Sequence, residues 1–354
     1  MKRIAAFCLC ILLLAGLSGC DLWLSGDYSK VVPHSLPAET PQTNKVEVSD
    51  YGSLRDAIVN AVSSGMQEAV IYYPKAEAST ISAYMDAAVQ YVTKEHPVGA
   101  YAVTEIKYQI GTNSGVQAVA LQIAYSKSTA QIRKLQSVSS VDAAKQMIAG
   151  ALEKCEASVV FQMDSYDGTD FVQFVSDYVD AHPDVCMQLP QISAMTYPET
   201  GKQRVVELVF SYQTSRDTLR SMQQNVSNIF VSAKFYVSGD VDKWEKYTLL
   251  YSLLMERHDY TLQTSITPAY SLLIHGVGDS KAFAVVYAAM CRRAGLNCQT
   301  VTGTKNGESY TWNVILDGNV YYFVDLIRCD EEGGFRRLTA EQMTGYVWDY
   351  SAYR

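Results

Sequence analysis

The chain is 354 residues long, 48% hydrophobic and 19% charged, with 21 glycines and 9 prolines. That length asks for two or three domains, and the composition excludes collagen-like, low-complexity and wholly disordered chains. A net charge of −8 argues against a protein that grips nucleic-acid phosphates. Eight cysteines and five histidines leave a thiol enzyme or a metal site open on composition alone.

Residues 1–19 read as a processing signal. Lys2 and Arg3 form a positive n-region, and Ile4 to Leu14 is an unbroken apolar run. The run is shorter than the roughly 20 residues that span a bilayer. It closes on Leu17-Ser18-Gly19-Cys20, which resembles the bacterial lipoprotein lipobox. The resemblance implies a lipid on Cys20 and an extracytoplasmic protein anchored to the bacterial cell membrane, since several acyl chains hold without a membrane span. The alternative is an ordinary secretory signal with a coincidental cysteine. Residues 20–50 carry Pro33, Pro37 and Pro41 among polar residues, and read as a tether. No later apolar run is long enough to cross a membrane.

Two segments, 51–138 and 139–236, echo each other. Val89-Gln90-Tyr91-Val92 with His96-Pro97 returns as Ser176-Asp177-Tyr178-Val179 with His182-Pro183. Val119, Leu121, Ile123 and Tyr125 alternate as Val206, Leu208, Phe210 and Tyr212 do. Each unit predicts an opening helix (53–64 and 141–153), a short strand (69–73 and 158–162) and an amphipathic helix (79–95 and 168–181). Two alternating strands and a further helical stretch complete it. This is a repeated α+β unit with one buried sheet face. His96 and His182 stand before prolines and read as turn residues rather than ligands. Cys155 and Cys186 allow either a disulfide or two buried thiols. Neither unit has a phosphate loop, a paired-Cys metal spacing or a nucleophile elbow, so no metal and no cofactor is expected. The units read as spacers or binding platforms.

From 242 to 354 the pattern changes. Lys243 to Arg257 predicts a helix, with Tyr247, Leu250 and Leu254 at helical spacing. A second helix runs from Lys281 to Ala294, with Asp279 or Ser280 as its N-cap and Gly295 at its end. Strands follow at Cys298–Gly303 and Tyr310–Leu316, then a hairpin turn at Asp317-Gly318. A third strand, Val320–Asp325, runs on into Leu326 and Ile327.

This order of elements resembles the transglutaminase-like superfamily, the papain-related fold of transglutaminases and some bacterial proteases. The resemblance rests on the spacing from Ser280 to Ala294-Gly295, on Gly303, on Glu308-Ser309-Tyr310-Thr311-Trp312-Asn313 and on Tyr322-Phe323-Val324-Asp325. It implies an α+β protein: two tandem repeats followed by a papain-like α+β domain. The family's chemistry uses a cysteine at a helix start, a histidine on the next strand region and an aspartate on the following strand. The matching positions here are Ser280, Tyr310 and Asp325, so only the aspartate is kept. A serine needs a base far more than a thiol does, and a tyrosine with an ordinary pKa of about 10 is a poor one. Lys281 does not face Ser280, and Phe283 stands where a Ser-x-x-Lys pair would need its lysine. Cys291 lies on the face of Ser280, about 16 Å along the helix, and reads as core. Cys298 is open to pairing with Cys291 or Cys329. His275 and His258 remain as displaced bases.

The expectation is a catalytically inactive domain that binds a peptide, a peptidoglycan fragment or a protein through Tyr310, Trp312, Tyr321 and Tyr322. Nucleic acid is not an expected partner. Two alternatives stand beside it. One is a divergent hydrolase or acyl transferase using Ser280 with a displaced histidine; the other is a structural surface-assembly protein.

Overall fold

The computed structural model describes residues 46–74, 78–113 and 115–353. Cys20, the signal and most of the tether lie outside the described residues.

The first unit comprises β1 (Val46–Glu47), α1 (Tyr51–Ser63), β2 (Glu68–Tyr73), α2 (Ala78–Lys94) and α3 (Pro97–Ala102). It continues through β3 (Val103–Asn113), β4 (Val116–Tyr125) and α4 (Thr129–Arg133). Asp50 starts α1 by accepting from the Ser53 N–H, and the Ser53 side chain answers the Asp50 backbone, a capping box. The sheet runs β1-β2-β4-β3, with β1 parallel to β2 and the other neighbours antiparallel. Alternation along β4 turns Val119, Leu121 and Ile123 onto Ile58, Ile81 and Met85 of the two helices. Val46 and Glu47, expected to belong to the tether, are thus an edge strand. His96 is the N-cap of α3, its ring accepting from the Gly99 N–H, which is a turn role.

The second unit is β5 (Gln136–Val138), α5 (Val141–Glu153), β6 (Ser158–Met163), α6 (Phe171–Ala181), β7 (Gln191–Tyr197), β8 (Arg204–Ser211) and α7 (Arg216–Tyr236). Its sheet runs β5-β6-β8-β7, in the same order and with the same polarities as the first. β5, just ahead of residue 139, pairs into this second sheet. Lys127 reaches across to Glu207 at 2.8 Å, and Tyr101 meets Tyr197 edge-on, so the two units touch through a charged and an aromatic pair. Cys155 and Cys186 are buried free thiols, the second of the two states their spacing allowed and not the disulfide.

The helix α7 departs from its counterpart. It has 21 residues where α4 has 5. Its Leu219, Val226, Phe230 and Ala233 pack into the core of the C-terminal domain. Apolar residues at helical spacing along one face carry it there.

That domain adds α8 (Lys243–Met255), β9 (Asp259–Tyr260), α9 (Pro268–His275), β10 (Val277–Gly278) and α10 (Ser280–Arg293). The chain then forms β11 (Gln299–Lys305), β12 (Glu308–Asp317), β13 (Val320–Val324), α11 (Leu326–Glu331) and β14 (Tyr346–Val347). β13-β12-β11-β14 is one antiparallel sheet. Every residue of α10 from Ala282 to Cys291 is buried. A helix apolar all round lies inside a domain; here α7, α8, α9 and the sheet enclose it. Buried Asn313 on β12 donates to the Ala284 carbonyl at 2.9 Å and locks helix to sheet. The far face of the sheet is covered by the C-terminal segment, with Trp312 and Phe323 beneath Leu338, Met343 and Tyr346. Gly303 permits this cover, because a Cβ there would lie 2.2 Å from the Val347 carbonyl oxygen.

No helix among the described residues is long and apolar enough to cross a membrane.

Candidate functional site

Asp279 caps α10 by accepting from the Ala282 N–H at 2.8 Å, and Thr264 donates to its other oxygen at 2.9 Å. The cap sets Ser280 as the first helical residue, half-buried, at the positive end of the helix. β9 pairs with β10 and brings Tyr260 beside Gly278. β12 passes next to the helix start, and the Thr311 N–H donates to Ser280 Oγ at 3.4 Å. Among the described residues this is the only hydrogen bond that reaches the Ser280 hydroxyl.

Asp325 ends β13 and is 1% exposed. The strand does not run on into Leu326 and Ile327 as expected: Asp325 caps α11, because its carboxylate satisfies two orphan amides there. Oδ1 accepts from Ile327 N at 3.1 Å, Arg328 N at 3.3 Å and the Tyr310 hydroxyl at 3.1 Å. Oδ2 accepts from Lys305 Nζ at 2.9 Å and the Tyr346 hydroxyl at 2.5 Å. A carboxylate has about four lone-pair sites, so five donors saturate it. Lys305 Nζ also lies 4.6 Å from the Tyr310 ring centre and 5.4 Å from that of Tyr346, a cation held over two aromatic faces.

Both phenols stay protonated. Burial pushes Tyr310 well above its ordinary pKa, and the charge of Asp325 and its hydrogen bond push it further. Burial raises Tyr346 as well, followed by its hydrogen bond to Asp325. Tyr310 is therefore a donor to Asp325, not an acceptor for the proton of Ser280. Tyr260 is 40% exposed, its pKa raised by burial and then by the nearby charges of Asp279 and Asp325.

The other candidates fall elsewhere. Cys155, Cys186, Cys291, Cys298 and Cys329 are all free and buried. Burial raises the thiols of Cys155, Cys186 and Cys291, and pushes that of Cys329 up to about 11. None is exposed to a substrate at the surface. His258 Nδ1 sits 2.6 Å from the Leu254 carbonyl, and the His275 ring lies edge-on to Tyr270. His182 ends α6 and stacks on Tyr178 at 4.2 Å.

Three expected cleft aromatics are not in the cleft. Trp312 is 1% exposed, between Tyr346 and Trp348 on the covered face of the sheet. Tyr322 pairs with Ile315, so alternation turns it to the opposite face from Tyr310, against Trp244 and Arg337. Tyr321 packs at the edge of the covered cluster. Lys305, Tyr346 and Tyr260 were missed. A lysine ending a strand beside the Asn306-Gly307 turn and a tyrosine near the C-terminus carry no local signal for a shared carboxylate. No group of three or more His, Cys, Asp or Glu side chains among the described residues is arranged to hold a metal.

Comparison with curated proteins gives no match. Among solved structures, one from Cytophaga hutchinsonii titled as a candidate cysteine protease is 12% identical, with a TM-score of 0.27, covering 45% of this chain and 70% of that one. A structure titled a TGase is 8% identical, TM-score 0.26, covering 47% and 50%. A candidate protease from Parabacteroides distasonis is 8% identical, TM-score 0.24, covering 78% of this chain and 40% of that one. This chain therefore spans half or less of the length of the last two. Residues 232–348 match the family described as the transglutaminase-like superfamily. The match takes in the end of α7, the helix that packs into the C-terminal core, and runs through β14. On that match the C-terminal third of the chain is a transglutaminase-like domain.

Proposed function

We propose that this protein is an extracytoplasmic lipoprotein, anchored through Cys20, whose transglutaminase-like domain is catalytically silent and works as a peptide-binding module. The observation that carries the reading is the saturation of Asp325. Its five donors leave it no capacity to orient a base, and Tyr310 spends its proton on that same carboxylate. Among the described residues no acceptor is hydrogen-bonded to the Ser280 hydroxyl, and an unactivated serine hydroxyl is a weak nucleophile. What remains beside the helix start is the exposed Tyr260 and the half-buried Tyr310, amphipathic side chains suited to a peptide. The two preceding units, alike in sheet order, are read as duplicated spacers that carry this domain away from the membrane.

Amine-transfer and peptide-hydrolysis assays on the full chain test the silent reading. Rates at background, the same in Ser280→Ala, are expected; turnover that Ser280→Ala abolishes overturns it. Anchoring has its own test: Cys20→Ala is expected to release the protein from the membrane fraction.

A further inference from the structure

We propose that the seam between the second unit and the transglutaminase-like domain is a recognition pocket for an apolar side chain of an uncharged, extended peptide. The inference rests on the peptide-binding reading and names the residue class it selects. The cavity is about 270 Å³, with Val179, Met187 and Leu189 of the second unit facing Ile266, Ala269 and Val285. Half of that wall comes from outside residues 232–348, so the pocket depends on how this particular chain docks its second unit against α10.

Three observations set the occupant. The first is position. Lys281, the neighbour of Ser280, lines the cavity, and so does Thr264, which is bonded to the cap residue Asp279. The second is size. Pockets that enclose whole small-molecule ligands start at about 300 Å³. This one is smaller and suits a single side chain, with the backbone left outside.

The third is charge. Lys281 closes on Asp180 at 2.7 Å, so the two charges at the rim neutralise each other. A charged occupant would lose its hydration against apolar walls with no free counter-charge to meet it. Leu189 and Ile266 remain 41% and 51% exposed at the opening, apolar surface that an aliphatic side chain would cover. One polar contact is prepared. Gln188 is 4% exposed and lines the cavity; its Oε1 accepts from the Thr214 N–H at 3.1 Å. A peptide carbonyl in the cavity would meet its side-chain NH₂ as donor.

The test uses the full chain carrying ¹³C-methyl methionine and capped pentapeptides Ala-Ala-X-Ala-Ala. The Leu peptide is expected to shift the Met187 methyl signal and to bind at least about tenfold tighter than the Asp or Gly peptides. Leu189→Ser and Ile266→Ser, both at exposed positions, are expected to remove that preference without unfolding the protein. Equal binding of the Leu, Asp and Gly peptides overturns the pocket while leaving peptide binding by the domain intact. Absence of binding by any peptide overturns both. A Met187 shift with phosphatidylcholine vesicles but not with the Leu peptide overturns the proposal in favour of an acyl chain.

Discussion

Lys305 Nζ stands 2.9 Å from Asp325 Oδ2, with the aspartate fully enclosed and the lysine about a quarter exposed. Through this pair and its tyrosines, one carboxylate ties together β11, β12, α11 and β14. Asp325 therefore acts as a structural anchor. Lys305→Met is expected to lower the unfolding free energy by about 1–3 kcal/mol, because four donors still serve the carboxylate. Asp325→Asn turns an amide NH₂ against Lys305 or Tyr346, and should cost about 3–5 kcal/mol, the range for breaking a buried pair. Urea unfolding of the two variants checks both values; a neutral Asp325→Asn would remove the anchor role.

Restoring the family's residue types at the site separates reactivity from turnover. In Ser280→Cys the new thiol lies at a helix N-terminus with no imidazole beside it. Its alkylation by iodoacetamide should follow a pH midpoint at or a little below the ordinary value of about 8.5. Adding Tyr310→His should move that midpoint down further, since an imidazolium favours the thiolate. Amine transfer should stay at background in both variants while Lys305 and Tyr346 occupy Asp325. An unchanged midpoint in the double variant would mean that position 310 does not face 280.

Asp184 joins the second unit to α10. It is 4% exposed and binds Arg293 through Nε at 2.8 Å and through a second, shorter bond from Nη2, with Arg292 at 3.4 Å. Asp184→Ala frees two partly exposed arginines that water can serve, so the loss is that of the charge-assisted bonds, about 1–3 kcal/mol. Arg293→Lys should cost part of this, because a lysine cannot make the paired contact. Limited proteolysis should cut Asp184→Ala faster between the second unit and the C-terminal domain.

Stability should fall on mild acidification. Burial lowers the pKa of His182, as does the charge of Arg292, with Asp184 and Glu153 opposing and Arg293 adding. Burial lowers His96 too, helped by Arg55. A lowered native pKa means that the unfolded chain binds more protons, so stability rises with pH in this window. The loss should begin near the unfolded value of about 6.5 and continue down to the native pKa values. Melting temperatures between pH 7.5 and 5 should show it, and His182→Asn should flatten the slope. A melting temperature that does not change over this range would contradict neutral, half-buried histidines with lowered pKa values.

Gly303→Ala tests the C-terminal cover. The added Cβ would meet the Val347 carbonyl oxygen and the Trp312 ring, at 2.2 and 2.9 Å. β14 must then lift from β11, which exposes Trp312 and Trp348. A red-shifted tryptophan emission and a loss of about 1–3 kcal/mol are expected.

Much of the fold was legible because its signals are local. Asp279, Gly295 and Asp317-Gly318 mark a helix start, a helix end and a hairpin whatever surrounds them, and the structure has all three where they were expected. Alternation in β4 and β8 marks a buried sheet face in the same way. Trp312 and Tyr322 were misread because alternation separates two faces without saying which one the rest of the chain will cover. At Asp325 the apolar pair Leu326-Ile327 continues a strand as readily as it opens a helix. The carboxylate's capping bonds decide between the two.

The sequence by itself determined the run of two helices and three strands in the C-terminal third, and the absence of a Cys or His at positions 280 and 310. Tertiary structure decided that α7 packs with the C-terminal core, and that Lys305 and Tyr346 converge with Tyr310 on Asp325. It also decided that a cavity opens between the second unit and α10, at Lys281 and Val285. The reason is that caps and alternation act between near neighbours, whereas the partners of a buried carboxylate and the walls of a cavity are set by distance in space.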